Sequence, residues 1–208
     1  MEILCLSKNQ TRELLVAEPM RWFKVGSDNG GEVHLCEGIA LVLELGAEVY
    51  EAEPLENIHI SGNRLTCSSA RTLKKMNWNE RIARLFACDC AEHVAHICKD
   101  KQVRTAIDAA RKYANGKLTE SELLVAWSGA RNAASKSQWL NEYSAARAAS
   151  DCAATDIQWA TSSATFGAAA KSGSAKDKKG STLNQSIAWI DERKWQTARL
   201  MQYLDEGN

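Results

Sequence analysis

The sequence predicts an α+β chain that is mostly α: a small β-containing N-terminal unit over residues 1–76, then an alanine-rich helical bundle over 77–208. Three observations predict it. Short apolar runs broken by glycine fill the first 76 residues. Two capping-box spacings and one Asn-Gly stop bracket long segments of helical period after residue 77. No proline follows Pro54, and alanine, the strongest helix former, is dense from 126 to 170.

In the N-terminal unit, residues 3–6 read as a short strand. Residues 10–17 read as one or two helical turns, stopped before Pro19. Residues 21–25 read as a strand, and the glycine-rich 26–31 as a turn. The apolar segments 33–36, 39–45 and 49–50 follow, punctuated by Gly38 and Gly46. The period of 39–45 fits strand and helix equally, because a short apolar run carries both. Ile58-His59-Ile60, Ser61-Gly62-Asn63 and Arg64-Leu65-Thr66 together read as a hairpin.

The helices begin where Asn77 stands three residues before Glu80, the spacing of a capping box. Ile82, Leu85, Phe86, Val94 and Ile97 then recur near helical period, with Ala83, Ala87, Ala91 and Ala95 leaving room for a close neighbour. A second helix over about 102–114 carries the stripe Val103, Ala106, Ile107 and Ala110 and ends at Asn115-Gly116. Thr119 and Glu122 open a third helix. Two helices are expected across 126–170, broken near 135–137, with Trp127, Trp139 and Trp159 filling space left by small neighbours. Residues 171–182, KSGSAKDKKGST, read as a flexible loop. Ser181 or Thr182 then caps a last helix over 183–204. Its expected stripe is Leu183, Ile187, Ile190, Lys194, Thr197, Met201 and Leu204.

Formal net charge is zero, which argues against a general nucleic-acid binder. Seven cysteines at irregular spacing, and an opening that does not read as a secretory signal, point to free thiols in a reducing cytoplasm. No run of the sequence approaches a transmembrane length. Cys88, Cys90, His93, His96 and Cys98 crowd one helix, the obvious candidates for a metal. They spread around the helix, whereas a structural zinc needs four converging ligands and a second pair from elsewhere. The expectation is no metal and no cofactor, with the cysteines packed as small apolar residues and the histidines at the surface.

Charge distribution is the functional signal. Asp28, Glu32, Glu37, Glu44, Glu48, Glu51, Glu53 and Glu56 fall in one stretch, and no Lys or Arg lies between Lys24 and Arg64. If these carboxylates share a face, their field attracts a cationic partner. The plain alternative is a solvated acidic surface.

Residues 84–94 (RLFACDCAEHV), 106–116 (AIDAARKYANG), the Ala/Trp/Arg-rich helices after Thr119, and 195–204 (WQTARLMQYL) resemble the bacterial and phage immunity protein family described as Imm-5-like. The resemblance covers roughly 78–206 and implies a helical bundle and a role in neutralising a toxin. It brings no catalytic residues. Three functions follow in order. The first is a non-catalytic, immunity-type inhibitor that occludes a basic surface of a toxin or effector protein. The second is a phage-encoded inhibitor of a bacterial defence complex, of anti-CRISPR type, with carboxylates standing in for nucleic-acid phosphates. The third is an enzyme or metal-binding helical protein. The chain lacks G-x-S-x-G, P-loop, dinucleotide and HExxH signatures. Its best acid/base cluster is Asp89, Glu92, His93 and His96, with Asp108 close in sequence. The expected partner is thus a protein with a basic surface, without direct nucleic-acid or membrane contact. Should the acidic segment prove ordinary, the exposed charges of Glu80, Arg81, Arg84 and Glu92 on the helices are the ones to examine next.

Overall fold

A computed structural model describes residues 21–25, 33–45, 48–137, 140–154 and 182–206. The chain is α+β and mostly α. The described elements run β1 (Trp22–Val25), β2 (Val33–Cys36), α1 (Gly38–Glu44), β3 (Val49–Glu56), β4 (His59–Ser61), β5 (Arg64–Cys67), β6 (Ser69–Lys75), α2 (Glu80–Ala95), α3 (Lys101–Ala114), α4 (Glu120–Lys136), α5 (Leu140–Cys152) and α6 (Thr182–Asp205). The expected elements at 3–6 and 10–17, the turn at 26–31 and the loop at 171–182, except for Thr182, which begins α6, lie outside the described residues.

The strands form one antiparallel sheet in the order β4-β5-β2-β1-β3-β6. Side chains alternate between its faces. Phe23, Cys36 and Val49 join the main core with the helices, while Trp22, Leu35, Ala52, Leu65 and Cys67 form a second cluster on the opposite face. Connectivity explains how the second face is buried. β3 runs into β4 through Asn57 and Ile58, and β5 runs into β6 through Ser68. The two ends of the sheet are therefore halves of one long hairpin with a kink in the middle. β1 pairs with its near half and β2 with its far half, so the sheet curls around Trp22, Leu35 and Leu65. The kink is fixed by Ser68 N–H donating to the Glu56 carbonyl at 3.0 Å and by Asn57 Nδ2 donating to Ser68 Oγ at 2.9 Å. Asn57 takes φ +50° there, a left-handed conformation that asparagine tolerates. Gly62, at φ +62°, makes the hairpin turn that the sequence predicts.

Residues 39–45 resolve as helix. α1 packs against α6, and Ala40, Leu41 and Val42 enter the main core, so a run buried on several sides has no strand alternation to show.

Helix α2 is the central helix, packed against α3, α5 and α6. Its cap is Asn79, not Asn77: Asn79 Oδ1 accepts from Ile82 N–H at 3.1 Å. The start is displaced because Trp78 is buried, with its ring edge-on to Phe86, and its N–H donates to the Met76 carbonyl at 2.8 Å. A chain committed to that turn enters the helix only after Trp78. Asp100 caps α3 through Gln102 N–H at 2.9 Å. α3 ends as expected at Asn115-Gly116. Gly116 has φ +67°, and Lys117 N–H donates to the Lys112 carbonyl at 2.8 Å, closing a Schellman turn. The capping box at Thr119 forms in full: Thr119 N–H donates to Glu122 Oε2 at 2.8 Å, and Glu122 N–H to Thr119 Oγ1 at 3.4 Å. The Thr119 hydroxyl, which donates to Glu122 Oε2 at 2.6 Å, and the Thr119 N–H hold the Glu122 carboxyl below its ordinary range. The break between α4 and α5 falls after Lys136, as predicted.

The last helix keeps the end of its expected stripe, with Leu204 buried and Met201 packed on the core, but departs from it further up. Ile190 and Lys194 are exposed, whereas Glu192, Arg193, Gln196, Leu200 and Leu204 are buried. Some of the polar groups on that face bond to one another. Gln196 Nε2 donates to Glu192 Oε1 at 2.9 Å, and Arg193 Nη1 donates to Gln196 Oε1 at 2.8 Å. Sheet and bundle share one core, and Arg21 bridges them at the surface by pairing with Glu51 of β3 and Asp205 at the end of α6.

Candidate functional site

The acidic stretch runs along and beside the sheet, and three of its described members, Glu48, Glu51 and Glu53, meet cations. Glu48 pairs with Lys75, and Tyr50 donates its hydroxyl to the same carboxylate at 2.7 Å. Both contacts hold the Glu48 carboxyl below its ordinary range. Glu51 pairs with Arg21 at 2.9 Å, and its pKa is lowered by that bond. Glu53 pairs with Arg71. These cations come largely from β6, which the sequence reading did not foresee. The antiparallel register sets Lys74 beside Glu51 and Arg71 beside Glu53. Opposite charges face each other across the two strands, so Glu48, Glu51 and Glu53 add far less to the field than uncompensated carboxylates would. Glu37 stands before α1, where Asn63 Nδ2 reaches its carboxylate at 3.4 Å. Glu56 is exposed at the end of β3. Glu44 ends α1 without a described side chain, and Asp28 and Glu32 lie outside the described residues.

Beside Glu53 and Glu56 the kinked hairpin shows a feature that charge counting missed. Leu55, Ile58 and Ile60 are 50, 49 and 43% exposed, all within one short stretch of a small protein. The signal in the sequence was Leu55 and Ile58 flanking Glu56-Asn57, aliphatics placed on a turn. Single exposed aliphatics are ordinary, but three together with a charged margin form the pattern of a protein-binding patch.

The acid/base candidates on α2 divide between three settings. Asp89 is buried and is held by three donors: Arg111 Nη2 at 2.7 Å, Arg199 Nε at 2.6 Å and the Tyr203 hydroxyl at 2.8 Å. Burial opposes the charge of Arg111, yet Asp89 prevails and holds its pKa above the ordinary value. The Tyr203 hydroxyl is pushed up by burial and by its bond to Asp89. Glu92 also receives Arg111. His93 lies flat on Trp195, with ring centroids 3.9 Å apart, and its Nδ1 sits 2.7 Å from Glu192 Oε2. Glu92, His96 and Asp108 meet Arg104 at a small cleft between α2 and α3. Asp89 thus ties α2 to α3 and α6, and His93 ties α2 to α6. Arg84 is buried rather than an exposed charge, because its guanidinium caps the end of α5.

The cysteines of α2 do not converge with the histidines. Cys88 and Cys90 are fully buried, and His93 and His96 are exposed. Among the described residues, no group of three or more His, Cys, Asp and Glu side chains is placed to hold a metal ion. Burial pushes the Cys90 thiol well up, with the carboxylates of Glu192 and Asp89 adding to it. Cys152 is raised as well, by its contact with Cys88 and by burial. Cys98 is only partly buried and its thiol is raised less. Thiol labelling of native protein, read by peptide mass spectrometry, should therefore modify Cys98 well before Cys88, Cys90 and Cys152. Equal rates at all four positions would contradict the packing of α2.

No known protein family, curated protein or solved structure matches the chain. Among the described residues, no helix is long and apolar enough to cross a membrane.

Proposed function

We propose that the chain is a non-catalytic binding protein of the immunity type, which neutralises a toxin or effector protein by occluding a basic surface. The observation that carries the reading is the kink of the long hairpin, where Leu55, Ile58 and Ile60 stand about half exposed beside the acidic Glu56. An apolar centre with a carboxylate margin suits a partner whose basic groups surround an apolar pocket. Affinity then comes from the aliphatic side chains, and the acids select the partner. The pairing of Glu48, Glu51 and Glu53 with cations weakens the alternative, an inhibitor of a bacterial defence complex that mimics nucleic-acid phosphates. The setting is the cytoplasm, in keeping with Cys88, Cys90, Cys98 and Cys152 standing as thiols.

The test uses the full chain, immobilised and exposed to lysate of its host. A retained protein is identified, purified and assayed for loss of activity on adding the chain. A Leu55→Ser and Ile58→Asp double variant should bind that protein at least tenfold more weakly, with an unchanged circular dichroism spectrum. The reading fails if the wild type retains nothing that it inhibits. It fails equally if the double variant inhibits as well as the wild type.

A further inference from the structure

Among the described strands, β4 and β6 are the two edges of the sheet, and they are built differently. β6 carries Arg71, Lys74 and Lys75. Its register against β3 slips twice, with Leu73 the extra residue on β6 and Leu55 the extra residue on β3. Cations and bulges are the devices that keep an edge strand from pairing with a second chain. β4 has neither. Its residues His59, Ile60 and Ser61 are all exposed, include no lysine, arginine, proline or carboxylate, and pair with β5 without a register shift.

The turn decides which backbone groups of β4 are free. Gly62 has φ +62° and the φ of Asn63 is not positive, the pattern of a two-residue type II′ turn. Such a turn makes Ser61 and Arg64 a hydrogen-bonded pair across the hairpin. Bonded and non-bonded pairs alternate along an antiparallel ladder, so Ile60 and Leu65 are a non-bonded pair. Leu65 turns its N–H and C=O towards Leu35 of β2, and Ile60 turns its own away from the sheet, where no described strand meets them. The side chains of Leu35, Leu65 and Ile60 form one row on one face, buried at Leu35 and Leu65 and 43% exposed at Ile60. An outward N–H and C=O beside an open aliphatic row complement one kind of partner, a second extended backbone.

We propose that β4 is a docking edge, to which an extended segment of the inhibited protein adds as a further strand of the sheet. The docking rests on the immunity-type reading and specifies how the kink holds its target. The added strand sets an apolar residue opposite Ile60, continuing the row from Leu35 and Leu65. Its neighbours beside His59 and Ser61 are polar, because their side chains point to the other face. A lysine or arginine at the kink end of the segment meets Glu56, which is exposed there. β4 is short, so the pairing makes few backbone bonds and the aliphatic side chains of Ile58 and Ile60 carry much of the affinity.

The experiment pans a phage-displayed library of random heptapeptides against the immobilised full chain. Enriched peptides are expected to alternate apolar and polar residues and to carry a lysine or arginine. Ile60→Pro removes the outward N–H without breaking a bond to β5, a substitution that an edge strand accepts. It should weaken binding of an enriched peptide at least about tenfold, as a lost hydrogen bond with a stranded acceptor does, while the circular dichroism spectrum stays unchanged. Ile60→Val keeps both backbone groups and should bind within about threefold of wild type. An absence of enriched peptides, enrichment without alternation, or equal binding to Ile60→Pro would overturn the docking. Sedimentation of the chain alone tests the other occupant: a wild-type dimer that Ile60→Pro dissolves would assign the edge to a second copy and overturn a foreign strand. Inhibition of the target separates the two readings. Loss in the Leu55→Ser and Ile58→Asp double variant with full inhibition by Ile60→Pro overturns strand addition alone, whereas full inhibition by the double variant overturns both.

Discussion

Asp89→Asn is expected to cost about 3 kcal/mol of folding stability. The reason is the company that Asp89 keeps. Its carboxylate is buried and accepts from Arg111, Arg199 and Tyr203, which belong to α3 and α6. Asparagine keeps the shape but removes the charge and turns one acceptor into a donor. Arg111 then keeps only the exposed Glu92, Arg199 loses the carboxylate it meets, and one guanidinium is pressed against an amide N–H. Removing one partner of a buried ion pair costs about 3–5 kcal/mol, because the remaining charge stays desolvated. Both arginines are about one-third exposed (32% and 33%), so water recovers part of the loss and the lower end of that range applies.

For a chain of this size, about 3 kcal/mol corresponds to a fall in melting temperature of roughly 6–12 °C. Arg199→Gln should cost less, since Arg111 and Tyr203 still satisfy Asp89. The double variant should lose less than the sum of the two, because each substitution removes the same pair. Calorimetry of the four proteins gives the cycle. A melting temperature within about 2 °C of wild type for Asp89→Asn, together with additive losses, would mean that Asp89 does not hold the helices together. Its burial would then point back to the acid/base chemistry that its neighbours Glu92 and His93 suggested in the sequence.

Asp89 also shows where sequence reading reaches its limit. The caps were legible because they are local. Thr119 and Glu122 are three residues apart, and Asn115-Gly116 needs no partner beyond its own turn. The hairpin at Gly62 was legible for the same reason. β6 was not, because SARTLKK is an edge strand with little buried, and alternation cannot be seen in residues that face water on both sides. That omission propagated to the candidate site. Without β6 the acids of β3 looked uncompensated, although their cations lie only 18 and 27 residues further along, at Arg71 and Lys75. The α6 stripe was drawn through Ile190 and Lys194 because a hydrophobic pattern prices polar residues as surface. Glu192, Arg193 and Gln196 are buried by virtue of each other and of His93, which stands 99 residues away from Glu192.

Arg84 is the second position where a large effect is expected, and it reverses the sequence reading of an exposed charge. Its side chain is 1% exposed. Nη1 donates to the carbonyls of Cys152 at 3.2 Å and Ala154 at 2.6 Å. These carbonyls belong to the last turn of α5 and the residues just after it, where helical carbonyls run out of partners and the helix dipole is negative. The guanidinium lies 5.0 Å over the Tyr113 ring, and Glu80 stands 3.7 Å from Nη2. One arginine on α2 therefore closes α5 and packs on α3. Methionine in its place fills much of the volume but leaves both carbonyls buried without that donor, at about 1–3 kcal/mol for each unsatisfied group. Arg84→Met should accordingly lose about 2–5 kcal/mol. Arg84→Lys should recover only part of that loss, since an ammonium cannot lie flat on Tyr113 while reaching both oxygens. Hydrogen exchange should show faster opening at 148–152, the end of α5, than at the capping box of α4. A surface charge used to grip a partner would behave in the opposite way. Arg84→Met would then melt at the wild-type temperature and lose only binding, and that result would put Arg84 back among the contact residues.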